Sequence, residues 1–165
     1  MSWIPWIVGW LSTAPSPPDC VVHVEGMPAP QLRHHQVQLG GERRRAASVL
    51  QLPRAGNVVE LLGPRYSGRV SLPASCSAPV ILDALPRPAT IELAGAPSNA
   101  VVSCSNCPGI DPDANYLSSG LPAVETDAWA IRVVFVVRAA GYLPSRLEVP
   151  LHPGANVFDI EMRLR

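Results

Sequence analysis

Residues 136–150 read VVRAAGYLPSRLEVP, and residues 59–73 read VELLGPRYSGRVSLP. Both stretches run from apolar residues through glycine or proline to a tyrosine. An arginine follows, then alternating apolar and polar residues, and finally a proline. A strand that leaves a core, turns and re-enters needs this pattern, because glycine permits the turn and proline blocks a helix. The tyrosine ring can cover the end of the core. The two stretches therefore predict a strand–turn–strand unit that occurs twice.

Neighbouring segments extend this similarity. VVHVEGMPAPQL (21–32) aligns with TIELAGAPSNAV (90–101) at an offset of 69, whereas Tyr66 aligns with Tyr142 at an offset of 76. A growing offset indicates a local insertion in a duplicated unit; the alternative is chance similarity between two β-rich stretches. The predicted organisation is an N-terminal segment (1–19), a first domain (20–88), and a second domain (89–165) with a loop insertion (105–128).

The composition predicts an all-β fold. The chain has 19 Pro and 12 Gly among 165 residues, and the prolines separate short runs of Val, Leu and Ile. The nearly continuous apolar run 131–137 predicts a central strand covered on both faces. Val157, Ile160 and Met162 do not alternate strictly, which predicts a bulge near Phe158. Predicted strands are 21–25, 35–40, 47–52, 57–63, 69–73 and 79–84, then 89–94, 100–104, 129–138, 145–151 and 156–164.

The order of these turns and strands resembles the PEGA domain, a small β-sandwich module of bacterial and archaeal envelope proteins. Pro97-Ser98-Asn99-Ala100 takes the place of the name-giving tetrad, and Gly141-Tyr142 that of the family's Gly-Tyr. The first copy is more degenerate, with Pro28-Ala29-Pro30-Gln31 as its tetrad. Transthyretin-like domains have similar patterns. The resemblance implies tandem β-sandwiches with adhesion, scaffold or accessory roles outside the cytoplasm and no catalytic residues.

The chain has four cysteines, Cys20, Cys76, Cys104 and Cys107. An even number in a small β protein favours disulfides and an oxidising compartment, and reduced cytosolic thiols are the alternative. Cys20 can pair with Cys76. Cys104 and Cys107 form a CxxC motif followed by Pro-Gly, so a disulfide that closes a turn is favoured over half a zinc site or a redox pair.

The formal net charge of +0 argues against nucleic acid as the main partner. Within the insertion, Tyr116 is a candidate for binding a sugar or protein partner, and Trp129 just beyond it is a second, unless it belongs to the core. Asp111, Asp113 and Asn115 could begin a calcium loop, although glycine is missing from its sixth position, so an Asx-rich turn is favoured. No metal or cofactor is expected.

A basic segment flanks the Gly40-Gly41 turn. It contains His34-His35 before the turn and Arg43-Arg44-Arg45 after it. These side chains predict either a solvated hairpin tip or a site for a phosphate, a sulfate or an anionic glycan.

Residues 3–14 are mostly apolar and include Trp3, Trp6 and Trp10. Two interpretations remain: a cleaved export signal, or a retained arm (3–14) that contacts a partner or a membrane surface. The sequence thus predicts a non-enzymatic structural or binding module of the cell envelope, periplasmic, extracellular or membrane-associated, with envelope proteins or glycans as partners. The alternative is a subunit of a larger assembly that docks through the tryptophan arm.

Overall fold

The computed structural model describes residues 19–53, 57–127 and 129–165. This part of the chain forms β-strands and one short 3-10 helix (Ala29–His34), so the prediction of an all-β protein is confirmed. Within the described residues, no helix has both the length and the apolar character needed to span a bilayer.

The first strand group runs from Cys20 to Pro86 and forms two sheets. Its strands are β1 (Cys20–Glu25), β2 (Gln36–Leu39), β3 (Glu42–Arg45), β4 (Val49–Leu52), β5 (Val58–Leu62), β6 (Tyr66–Ser71), β7 (Val80–Asp83) and β8 (Leu85–Pro86). The sheet orders are β4-β1-β7 and β3-β2-β5-β6-β8. Val22 and Leu82 of the smaller sheet share one buried core with Val37 and Leu61 of the larger sheet. The alternating residues of both sheets thus bury their apolar side chains against each other.

The second strand group runs from Thr90 to Asp159 and also forms two sheets. Its strands are β9 (Thr90–Ala94), β10 (Val101–Ser105), β11 (Tyr116–Leu117), β12 (Ile131–Arg138), β13 (Ser145–Leu151) and β14 (Ala155–Asp159). The sheet orders are β11-β10-β12-β13 and β14-β9. A separate core includes Leu93 of the small sheet with Val102 and Phe135 of the large one.

The two groups pair their strands in the same order. The first strand of each group pairs in parallel with a late strand, β1 with β7 and β9 with β14. In the larger sheets, β2 lies between β3 and β5, just as β10 lies between β11 and β12. The next antiparallel pairs, β5 with β6 and β12 with β13, also correspond.

A glycine closes each parallel pair in the same way. Gly26 and Gly95 follow β1 and β9 with φ values of 85° and 82°, a left-handed conformation that other residues rarely adopt. A Cβ atom on Gly26 would lie 2.7 Å from the Ala84 carbonyl oxygen, and one on Gly95 would lie 2.7 Å from that of Ile160. The amide of Ala84 donates to Glu25 and that of Ile160 donates to Ala94, each over 2.8 Å. Each strand group therefore uses glycine to let two backbones approach closely.

The run 131–137 forms a strand inside its sheet, since β12 pairs with neighbours on both edges, but the prediction that both of its faces are covered is wrong. Its Val133, Phe135 and Val137 are fully buried, whereas Val134 and Val136 on the opposite face are only half-buried. The core therefore covers one face of β12 more completely than the other.

The predicted bulge near Phe158 is wrong. The register of β14 on β9 runs without interruption from Ala155 to Asp159. Val157 faces outward with 60% exposure, and the buried position beside it belongs to Asn156. The alternation is regular because a polar residue, not a valine, faces inward. The strand also ends at Asp159, before the predicted end at 164.

Both expected disulfides are present. Cys20 bonds to Cys76 across 56 residues, and Cys104 bonds to Cys107 across three, with Cα atoms 5.1 and 5.8 Å apart. Cys20 begins β1 and Cys104 lies in β10, so each strand group has its own crosslink. The two disulfides indicate an oxidising, extracytoplasmic environment.

We predict that Gly95→Ala lowers the free energy of unfolding by about 1–3 kcal/mol, because the new methyl group meets a carbonyl in a left-handed backbone. Gly120→Ala is the control, since its Cβ would lie 3.9 Å from the nearest atom, the Leu117 carbonyl oxygen. We expect the control to change stability by no more than about 0.5 kcal/mol. Urea denaturation measures both, and equal effects would contradict the close approach at Gly95.

We also predict that replacing both Cys20 and Cys76 by serine costs ~3–4 kcal/mol, because the disulfide restricts a long loop in the unfolded chain. The same change at Cys104 and Cys107, which close a short loop, should cost about 2 kcal/mol. Chemical denaturation without reductant checks whether the long-loop variant loses more stability than the short-loop variant. A larger loss from the short-loop variant would contradict it.

Candidate functional site

Trp129 lies where the two strand groups meet. It precedes β12 of the second group but packs against the core of the first. Its ring is nearly parallel to that of Tyr66, at 9° with centroids 6.3 Å apart, and it contacts the His152 ring with centroids 4.7 Å apart. Tyr66 begins β6, whereas His152 lies between β13 and β14. The three rings form an aromatic junction between the groups.

His35 supports this junction from within the first group. Its side chain is 1% exposed, and its Nε2 atom accepts a hydrogen bond of 3.1 Å from the backbone N–H of Tyr66. An accepting Nε2 places the ring proton on Nδ1, which donates to the Gln31 carbonyl oxygen over 2.8 Å. A Cβ atom on Gly63 would overlap the His35 ring, so the glycine makes room for it. His35 thus fixes the position of Tyr66 and of the 3-10 helix.

Arg65 joins the groups by a different contact. Its guanidinium lies 5.5 Å from the centre of the Trp129 ring and donates a hydrogen bond of 3.0 Å to the Pro153 carbonyl oxygen. Cation–π contacts of this kind add stability when they are partly shielded from water. Burial raises the pKa of the adjacent Tyr66 hydroxyl above its ordinary range, and the charge of Arg65 partly opposes this shift. Tyr66 is therefore neutral at physiological pH.

Asn156 organises the turn that carries His152. Its side chain is 7% exposed; Oδ1 accepts from the His152 amide, and Nδ2 donates to the carbonyl oxygens of His152, Gly154 and Thr90. In addition, the His152 Nδ1 atom lies 2.9 Å from the Trp129 carbonyl oxygen. A buried amide with this many partners holds a turn rigidly. The turn therefore presents His152 and the Pro153 carbonyl to the junction in fixed positions.

A cleft of about 420 Å³ opens beside the aromatic junction. Its walls combine apolar, amide and cationic groups from both strand groups: Gln31, His34, Pro64, Arg65, Trp129 and Ala155. A second recess, of about 220 Å³, lies around the basic hairpin of β2 and β3 and shares His34 with the cleft. This mixture can bind a partly polar, anionic ligand.

The structure separates the predicted binding residues Tyr116 and Trp129. Tyr116 pairs with Val102 and packs against the core of the second strand group. Trp129 packs against the core of the first. The insertion therefore does not form one aromatic surface, and the contacts of Trp129 lie at the junction.

The candidate calcium residues form a turn. The amide of Asp113 donates to the Asp111 carboxylate over 3.0 Å, as in an Asx turn, and Asn115 follows in the same loop. In the described part of the chain, no three His, Cys, Asp or Glu side chains come together as a metal site.

The basic segment divides into a buried and an exposed part. His35 is buried, which the solvated-tip interpretation did not anticipate, whereas His34 and the three arginines of β3 are exposed. Trp3, Trp6 and Trp10 lie outside the described residues, so the arm stays a prediction.

Sequence reasoning did not single out Arg65, His152 or Asn156 as site residues. Arg65 stands where the first copy departs from the Gly-Tyr pattern, with Pro64-Arg65-Tyr66 in its place, and this departure was an available signal. His152 and Asn156 lie next to one another only through a tight turn and carried no local signal.

Comparison of the chain with protein-family models, curated proteins and solved structures gave no match.

We predict that Trp129→Ala lowers the free energy of unfolding by about 2–4 kcal/mol and separates the unfolding transitions of the two strand groups, because it removes the ring between them. Leu117→Ala is the control, since Leu117 is 56% exposed. Calorimetry checks both variants. One unchanged, two-state transition in Trp129→Ala would show that this ring does not join the groups.

Proposed function

We propose that this chain is a non-enzymatic structural or binding module of the cell envelope, periplasmic or extracellular. In this proposal, residues 20–88 and 89–165 are two tandem small β-sandwiches of the PEGA or transthyretin-like kind. The observation that carries the proposal is that two strand groups of matching order, each with its own core and disulfide, pack together through Trp129. A rigid scaffold of this kind suits the display of a binding surface.

The duplication is supported by contacts that recur at equivalent positions. The Gln31 amide donates to Pro28 in the first copy, and the Ala100 amide donates to Pro97 in the second. These pairs are related by the offset of 69 found in the sequence. Tyr66 and Tyr142 each pair antiparallel with a residue that follows the last long strand, Pro86 and Leu164 respectively. Recurring turns and pairings are what a repeated unit retains.

A binding role fits the chemistry of the junction. Its buried titratable groups, His35 and Tyr66, are engaged with the backbone and with neighbouring rings, which is a positioning role. The cleft beside them offers cationic and amide donors next to apolar walls. Envelope glycans and proteins carry acidic and polar groups that such cationic and amide donors can bind.

We predict that the protein, isolated from the cells that make it, lies outside the cytoplasm with both disulfides formed. Thiol labelling under denaturing conditions, before and after reduction, followed by intact-mass measurement, checks this. Its four cysteines should react only after reduction. Four reactive thiols before reduction, or recovery in the cytoplasmic fraction, would contradict the proposal. The same mass reports the first residue, and a start near residue 15 would rule out the arm alternative.

A further inference from the structure

The basic charge of the chain is unevenly placed. Over the whole sequence 13 basic residues balance 13 acidic ones. Between Arg33 and Arg45, however, four arginines accompany one acid, Glu42. All five of these side chains are exposed. The hairpin of β2 and β3, with Arg33 of the short helix, thus forms a small positive surface on a neutral protein.

Three of these arginines have no neighbouring carboxylate in the described residues, so their charge can act on a ligand. Glu42 lies 3.2 Å from Arg44 and neutralises it. In the described residues, Arg33, Arg43 and Arg45 have no carboxylate within 4.0 Å. Arg43 is oriented by its Nε donation to Gln38 over 3.1 Å, and Arg33 by its Nε donation to His34 over 2.9 Å.

The strand geometry places two of these charges side by side. Arg43 and Arg45 pair with Gln38 and Gln36 on β2, and residues two apart share one face of a strand, about 7 Å from each other. Guanidinium groups bind carboxylates and sulfates through paired hydrogen bonds. Arg43 and Arg45 can therefore bind successive acidic groups of one extended ligand.

The recess at the hairpin lies next to the cleft at the aromatic junction, because His34 lines both. We refer to the two together as the groove, with arginines around one part and Trp129, Pro64 and Arg65 around the other. Exposed Pro64 and the uncovered part of half-buried Trp129 offer apolar surface to a sugar, and the arginines are suited to its acidic substituents. A groove also fits a chain better than it fits a flat bilayer.

We propose that this groove binds an acidic polysaccharide, with carboxylates or sulfates on Arg33, Arg43 and Arg45 and a sugar ring beside Trp129. The oxidising environment indicated by the disulfides is where such polymers occur. A surface with only three unpaired arginines on a neutral chain is too weakly basic for nucleic acid. This inference rests on the proposed binding role and specifies its ligand.

The test measures binding of the full chain to polygalacturonate and heparin by calorimetry at low and high salt. Neutral dextran, single-stranded oligothymidine and phosphatidylglycerol vesicles are the comparison probes. We expect one or both acidic polysaccharides to bind, more weakly at high salt, and dextran not to bind. Which one binds more tightly distinguishes carboxylate from sulfate.

The double variant Arg43→Gln/Arg45→Gln should lose affinity by about tenfold or more. His34→Ala should lose several-fold, because His34 links the two ends of the groove. Arg146→Gln/Arg163→Gln removes the same charge from exposed positions of the second strand group and should stay within about twofold. Arg43→Lys/Arg45→Lys should recover only part of the loss, because lysine lacks the paired donors. All variants should keep the melting temperature of the parent chain.

No polysaccharide binding, or equal losses in the two glutamine variants, would overturn the proposal and leave the arginines as protection of an exposed sheet edge. Tighter binding to oligothymidine or vesicles than to either polysaccharide would overturn the choice of ligand. These results do not depend on where the protein is located or on its thiol state, so they separate this inference from the proposed function.

Discussion

The parallel pairing of the first and last long strands is the constraint on which each strand group depends. In both groups it brings together segments far apart in the chain, and it ends at a left-handed glycine whose missing side chain lets a carbonyl approach. Pairing of distant segments must overcome a loss of chain entropy. The Cys20–Cys76 disulfide offsets part of this loss in the first group, while the second relies on its core around Phe135.

The junction around Trp129 makes one scaffold from two cores. The ring belongs in sequence to the second group, is packed in the first, and is held by Tyr66, His152 and Arg65. The proposed binding role rests on this placement. The junction forms one wall of the cleft, and the short helix held by His35 links that cleft to the basic hairpin.

Much of the fold could be predicted because its signals are local. Alternating apolar residues, prolines and glycines predicted most strands, and the even cysteine count indicated both disulfides. Of the candidate site, Trp129 could be named from the sequence, but its partners Arg65 and His152 could not, since the three meet only after folding. Asn156 misled the prediction for a related reason. In the sequence, a buried amide whose partners are its own turn and a distant carbonyl looks like a polar surface residue. The valine beside it then appears to face the core.

Residue-resolved hydrogen exchange by NMR tests most directly whether the parallel strand pair of each group is formed to its end. The amides of Ala84 and Ile160 each donate to a backbone carbonyl at the end of a parallel strand pair, Glu25 in the first group and Ala94 in the second. If each group is closed as described, both amides exchange slowly, with protection comparable to that of the core strands. Exchange of either amide at the rate of an unstructured peptide would contradict the account.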